Sequence, residues 1–189
     1  MRAARAAHGL PLLFTAVPPP HRLVLFADAS SITSSSASAQ TGYLVFLASD
    51  VAVRGSLLRD TPLVLLAWGS HKERRVTHSS FAAETYALLD GMRAENGVAY
   101  VLAQLTHAVD AALAPIDAFT DSLSLFNTMS AAGIVKPKEV NAVVAALREI
   151  NGAGSMASLT WVPAGAQLAY SLTKPSSSAS LRSTLSTGC

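Results

Sequence analysis

Cysteine is all but missing from this chain of 189 residues, where Cys189, the last residue, is the only one. A disulfide framework and a cysteine-based zinc site are thereby excluded, and an intracellular setting, cytoplasmic or nuclear, is the expectation. Charge is scarce as well, at 14% of residues against about 25% in an ordinary soluble domain. Half of the chain is hydrophobic, yet a charge, His, Gln, Pro or Gly interrupts every apolar stretch before the roughly 18 residues a membrane span requires, so no membrane partner is expected. Acids are wholly absent from both flanks. Arg2, Arg5 and Arg22 stand in residues 1–27, and Lys174 and Arg182 in residues 171–189, without one Asp or Glu. The span 28–170 holds nine Lys and Arg against all twelve acids, a net of −3, so the overall +2 belongs to the flanks. The broad basic surface of a strong nucleic-acid binder is missing.

The length suits one domain with a core of its own. Residues 1–21 include the stiff triplet Pro18-Pro19-Pro20 and read as a linker, matching a targeting peptide only weakly. Residues 22–174 read as the domain. Residues 175–189 read as a Ser-rich, disordered tail with one helical turn at Leu181 to Leu185.

Within the domain, Leu23-Val24-Leu25-Phe26 is a continuous apolar run ending at Asp28, which suits a strand covered on both faces. After a Ser/Ala/Thr loop from Ser30 to Thr41, the runs Tyr43–Leu47 and Leu63–Trp68 predict two further strands, making an antiparallel meander. The period then changes. Ser79 to about Glu95 predicts a helix capped by Ser79 or Ser80, with Phe81, Leu88 and Met92 on one stripe. Ile116–Thr120 predicts a fourth strand, Ser122–Ala132 and Pro137–Ile150 two helices, Leu159–Val162 a fifth strand and Gln167–Thr173 a last short helix. The order βββ-α-β-α-α-β-α is that of a mixed five-stranded α/β sheet, three antiparallel strands followed by a parallel centre, flanked by helices.

In so acid-poor a chain the positions of the acids carry information. Asp28 and Asp121 each close an apolar strand, and ligand sites in open α/β sheets lie beyond the carboxyl ends of parallel strands. Glu84 falls on the apolar stripe of the first helix, three residues after Phe81 and four before Leu88. An ionised carboxylate there is costly unless paired or bound to a cation. Three carboxylates aimed at one place point to a hard divalent ion, Mg²⁺ or Mn²⁺. Each acid alone also fits a bland role, Asp28 and Asp121 as turn or cap residues and Glu84 as a helix N-terminal charge.

The succession Phe26-Ala27-Asp28-Ala29-Ser30, Thr41–Leu47, Trp68-Gly69-Ser70-His71-Lys72, Ser79–Glu84, Phe119-Thr120-Asp121-Ser122, Trp161-Val162-Pro163 and Gln167–Lys174 resembles the ribonuclease H domain of Ty1/copia-type retrotransposon polyproteins. The likeness covers about residues 22–175 and rests on short pieces in the right order. It implies a ribonuclease H-like fold and a two-metal hydrolysis of the RNA strand of RNA–DNA hybrids, with reverse transcriptase as a neighbour in the same polyprotein. By that resemblance Asp28 bridges both metals, and Glu84 and Asp121 hold the one beside the leaving oxygen. The family's fourth acid, which helps hold the metal that activates water, is here Tyr170, a neutral phenol and a poor ligand for Mg²⁺. The expected cofactor is accordingly Mg²⁺ or Mn²⁺, down to a single ion, with activity weakened or lost. The alternatives are a non-catalytic remnant of the fold that binds nucleic acid weakly, or an unrelated interaction module. The mobile His loop of the cellular enzymes is absent, because Pro163-Ala164-Gly165-Ala166 is too short.

His71-Lys72-Glu73-Arg74-Arg75 is the domain's only dense basic run, which makes Lys72, Arg74 and Arg75 candidate phosphate contacts, with Ser30, Ser70 and Ser80 as weaker ones. His71, His78 and His107 lack metal-ligand spacing. Trp68, Trp161, Phe46 and Phe126 lie in apolar runs and read as core. The helix 137–150 offers Val140, Val143, Val144, Leu147 and Ile150 as ordinary packing against the sheet.

Overall fold

The computed structural model describes residues 12–30, 39–50, 61–75, 77, 79–105, 115–131, 133, 138–174 and 179–188. Strand β1 (His21–Ser30) carries eight consecutive buried residues and sits in the middle of the sheet, as the apolar run Leu23–Ala27 at its centre requires. It pairs antiparallel with β2 (Gln40–Ser49), which pairs antiparallel with β3 (Val64–Lys72). On its other side β1 pairs parallel with β4 (Ile116–Thr120), which pairs parallel with β5 (Met156–Trp161). The sheet order is β3-β2-β1-β4-β5, the expected mixed architecture. Residues 31–38, most of the expected loop, and His78, His107 and Pro137 lie outside the described residues.

Helix α1 (Ser80–Leu105) packs across β1 and β2. Ser79 is its cap, its Oγ accepting from the Ala82 amide at 3.1 Å, while Ser80 is exposed. The helix runs ten residues beyond the expected end at Glu95. Asn96-Gly97 is a weak helix-forming pair, but beyond it Ala99 is buried and Val98 and Leu102 pack on the core, so tertiary burial overrides local propensity. Gly91 lets the helix lie close to the sheet, since a Cβ there would stand 2.7 Å from Leu25 Cδ1. Helices α2 (Leu123–Ser130) and α3 (Asn141–Gly152) cover the same face, with a 3₁₀ turn at Lys138–Val140 opening α3. Leu125, Val144 and Leu147 are their buried anchors.

The opposite face buries Val24, Phe26, Leu44, Phe46 and Phe119, with Phe26 stacked on Phe119 at 5.0 Å between ring centroids. It is covered by Val162, Leu168 and Ala169, by the short helix α4 (Tyr170–Thr173), and by α5 (Ala179–Thr187). Helix α5 contains the helical turn expected at Leu181 to Leu185 and extends it to Ala179–Thr187, which corrects the expectation of disorder for the residues beside that turn. Leu181 is buried and Leu185 packs beside it, so two leucines one turn apart outweigh the Ser-rich composition. The first described residues meet this helix: the Leu13 amide donates to the Leu185 carbonyl at 3.3 Å, and the Leu63 amide to the Gly188 carbonyl at 2.8 Å.

Two tryptophans also differ from expectation. Trp68 is 62% and Trp161 42% exposed. Both sit on edge strands, β3 and β5, where apolar sequence runs on without a neighbouring layer to cover it. Phe46 is fully buried and Phe126 half-buried.

Candidate metal centre

Three elements bring three acids together. Asp28 lies near the end of β1, Asp121 immediately follows β4, and the parallel pairing of these strands puts both at the same sheet end. Glu84 enters from the first turns of α1. Each acid offers an oxygen, and these oxygens all lie within 4.8 Å of one another. Asp28 and Glu84 are buried, whereas Asp121 is half-exposed and opens the cluster to solvent.

Half of the buried oxygens are accounted for by the protein. Asp28 Oδ2 accepts from the Thr173 hydroxyl, and Glu84 Oε1 accepts from the Ala29 amide at 3.2 Å. Asp28 Oδ1 and Glu84 Oε2 are buried and have no hydrogen-bond partner among the described residues. Orphaned carboxylate oxygens are expensive, and two of them on members of a converging group of three carboxylates suit a hard cation that takes oxygen ligands. Burial pushes Asp28 up to about 6, with the Thr173 hydrogen bond and Lys174 opposing. Glu84 rises to about 9, first through burial and then through the charges of Asp28 and Asp121. Burial also raises Asp121, against the pull of Lys174. The residues present therefore fit a divalent cation, whose charge would offset both the desolvation and the mutual repulsion.

The polar frame around the acids comes from the stretch 167–174. Gln167 is buried and its Nε2 donates to the carbonyls of Ala27 (3.0 Å) and Phe119 (3.2 Å), pinning together the strand ends that carry Asp28 and Asp121. Thr173 reaches Asp28, and Lys174 Nζ stands 3.7 Å over the ring of Tyr170. Gln167 and Thr173 have no role in the sequence reading beyond belonging to the Gln167–Lys174 piece, and Lys174 figures otherwise only in the basic charge of the flank. Helix α4 reaches the site because Gly42 lets it settle on β2, where a Cβ would lie 2.8 Å from Leu172 Cβ and 3.1 Å from Thr173 Cγ2. Gly42→Ala is therefore expected to displace α4 and destabilise the domain by about 1–3 kcal/mol. Thermal melting checks this, and an unchanged midpoint would show that α4 yields freely.

The other candidates are dispersed. Ser70 Oγ donates to the Leu172 carbonyl at 2.7 Å and accepts from Gln40 Nε2 at 2.9 Å, so it holds α4 to β3. Ser30 Oγ accepts from the Gln40 amide. Lys72 and Arg74 are exposed. Arg75 is engaged locally, 3.4 Å from Glu73 Oε1 and 4.5 Å over the Tyr86 ring. His71 faces Asp90 at 3.3 Å. The expected short connection after β5 is a 3₁₀ turn at Ala164–Ala166, and Trp161 Nε1 donates to the Asp121 carbonyl at 3.0 Å.

No family model and no curated protein matches the chain. Solved structures do. Ribonuclease H1 of the archaeon Halobacterium salinarum aligns at 19% identity over 80% of this chain and 93% of its own, with a TM-score of 0.52. The N-terminal ribonuclease H domain of Rv2228c from Mycobacterium tuberculosis aligns at 19% identity over 86% and 97%, with a TM-score of 0.51. LC11 ribonuclease H1, solved with an RNA/DNA hybrid, aligns at 15% identity over 85% and 99%, with a TM-score of 0.53. The foamy viral protease–reverse transcriptase, also solved with a hybrid, aligns at 14% identity over 89% of this chain but only 22% of its own, with a TM-score of 0.54. The fold is that of the ribonuclease H-like proteins. Among its described residues this chain carries an acidic triad at the carboxyl end of the parallel strands.

Proposed function

We propose that this is a ribonuclease H-like domain of Ty1/copia-type retroelement origin, a metal-dependent nuclease directed at the RNA strand of RNA–DNA hybrids and weakened by Tyr170. The observation that carries the reading is the convergence of the Asp28, Glu84 and Asp121 carboxylates, the first two of which each keep one buried oxygen without a partner among the described residues. Asp28, Glu84 and Asp121 would hold Mg²⁺ or Mn²⁺, which when bound supplies Lewis-acid stabilisation of a phosphodiester undergoing displacement. Thr173 and the Ala29 amide fix the Asp28 and Glu84 carboxylates by occupying one oxygen of each. Gln167 keeps the two strand ends in register. Lys72 and Arg74, exposed at and just beyond the end of β3, supply phosphate contacts, and reverse transcriptase is the neighbour such an element provides.

A second reading, the non-catalytic remnant, is favoured by Tyr170 itself, which begins α4 and puts a phenol where the resemblance expects a carboxylate. A labelled RNA–DNA hybrid tests both. Slow cleavage in Mg²⁺ or Mn²⁺ that Asp28→Asn reduces at least about 100-fold supports the nuclease, on the scale of removing one charge-stabilising group. Absence of cleavage in either metal, with cleavage created by Tyr170→Asp, supports the remnant. Cleavage that survives Asp28→Asn would refute the site.

A further inference from the structure

We propose that Lys174, braced on the ring of Tyr170, is a built-in cation of the acidic cluster and leaves it the charge of a site for one divalent ion. The inference rests on the reading of Asp28, Glu84 and Asp121 as a metal centre. Its geometric basis is local and specific. Thr173, whose hydroxyl is bonded to Asp28, immediately precedes Lys174, so the lysine leaves the backbone beside the cluster. Its own amide donates to the Tyr170 carbonyl at 3.0 Å, closing the turn. The half-buried ammonium then lies 3.7 Å from the centre of the Tyr170 ring, an arrangement that fixes a flexible side chain and strips part of its water. A lysine so held is a point charge of defined position.

Its charge lies within coulombic reach of all three carboxylates, Asp28, Glu84 and Asp121. Three carboxylates and one ammonium leave a net charge of −2, which one divalent ion neutralises. Two such ions would leave the half-buried pocket at +2 with only three carboxylates to hold them. Tyr170 thus has a positive part: its phenol is no ligand, and its ring face seats the cation that takes the place of a second ion.

Titration of the full chain with Mn²⁺, following the signal of the free ion by electron paramagnetic resonance, reads both stoichiometry and affinity. The native chain should bind one ion. Lys174→Met, with its fold checked by circular dichroism, should bind its first ion at least about tenfold more tightly, because an opposing charge close to the ion is worth more than one decade in a partly buried site. Lys174→Arg keeps the charge and should resemble the native chain. Two ions of like affinity on the native chain, or a Lys174→Met variant indistinguishable from it, overturns the proposal. If Asp28→Asn binds Mn²⁺ as the native chain does, the metal-centre reading itself falls, and the lysine's role falls with it. Loss on Asp28→Asn without a gain on Lys174→Met removes the lysine's role alone.

Discussion

Arg22→Met is expected to lower the melting temperature by roughly 10 °C, because the buried Asp117 carboxylate loses the guanidinium that compensates it. Arg22 is 8% exposed, and its Nη1 donates to Asp117 Oδ2 at 2.6 Å. Its Nε lies 2.7 Å from Asp50 Oδ1 but off the N–H axis, so that contact is coulombic rather than a hydrogen bond. Asp117 also accepts from Ser158 Oγ at 2.6 Å. The network therefore ties β1 to β4 and β5 and to the residue following β2. Asp117 is 3% exposed, and a carboxylate left uncompensated at such a depth costs about 3–5 kcal/mol. Methionine keeps most of the volume of the arginine stem, so the loss reports charge rather than packing. Calorimetry decides the matter, and a shift below about 2 °C would mean that water or a local rearrangement takes over the role of Arg22.

The second large effect concerns Glu95, which is fully buried in the middle of α1 with neither carboxyl oxygen partnered among the described residues. Burial alone raises it from 4.5 to about 8. Between those values the unfolded chain has released a proton that the folded chain keeps, so raising the pH favours unfolding by about 1.4 kcal/mol per unit. The stabilising difference is intact below pH 4.5 and gone above about 8. Glu95→Gln removes this dependence while preserving shape. At pH 5 the variant should match the native protein closely, and at pH 8.5 it should be more stable by a few kcal/mol. Asp28 and Glu84 titrate in both proteins, so the difference between the two curves isolates Glu95. Parallel curves across that range would show that Glu95 acquires a partner on ionisation.

Much of this architecture is legible in the residues because the signals are local. The apolar run ending at Asp28 identifies the central strand, and Ile116–Thr120 matches β4 residue for residue. The convergence of Asp28, Glu84 and Asp121 follows from parallel pairing and a helix stripe. What escapes is whatever depends on partners far away in the chain. Helix α1 passes Asn96-Gly97 because of what Ala99 and Leu102 pack against. Trp68 and Trp161 are exposed because their strands happen to be edges, which a run of apolar letters does not encode. Glu95 lies inside the predicted helix, yet nothing in its neighbours announces a buried, partnerless acid. The relation of Lys174 to Tyr170 is a matter of one turn, but its meaning depends on three acids between 53 and 146 residues upstream.

The bond between Leu13 and Leu185 joins residues from opposite ends of the described chain, and that between Leu63 and Gly188 also reaches across most of the domain. Closing so long a loop carries a large entropic cost with little local gain, so these contacts form after the sheet and α1 have organised the rest. They are also the natural first point of opening, since exposed Leu12, Leu13 and Phe14 contribute little burial there. Amide protons of α5 should accordingly exchange ahead of those of β1, and the terminal clasp acts as a late-setting seam over a core that is already formed.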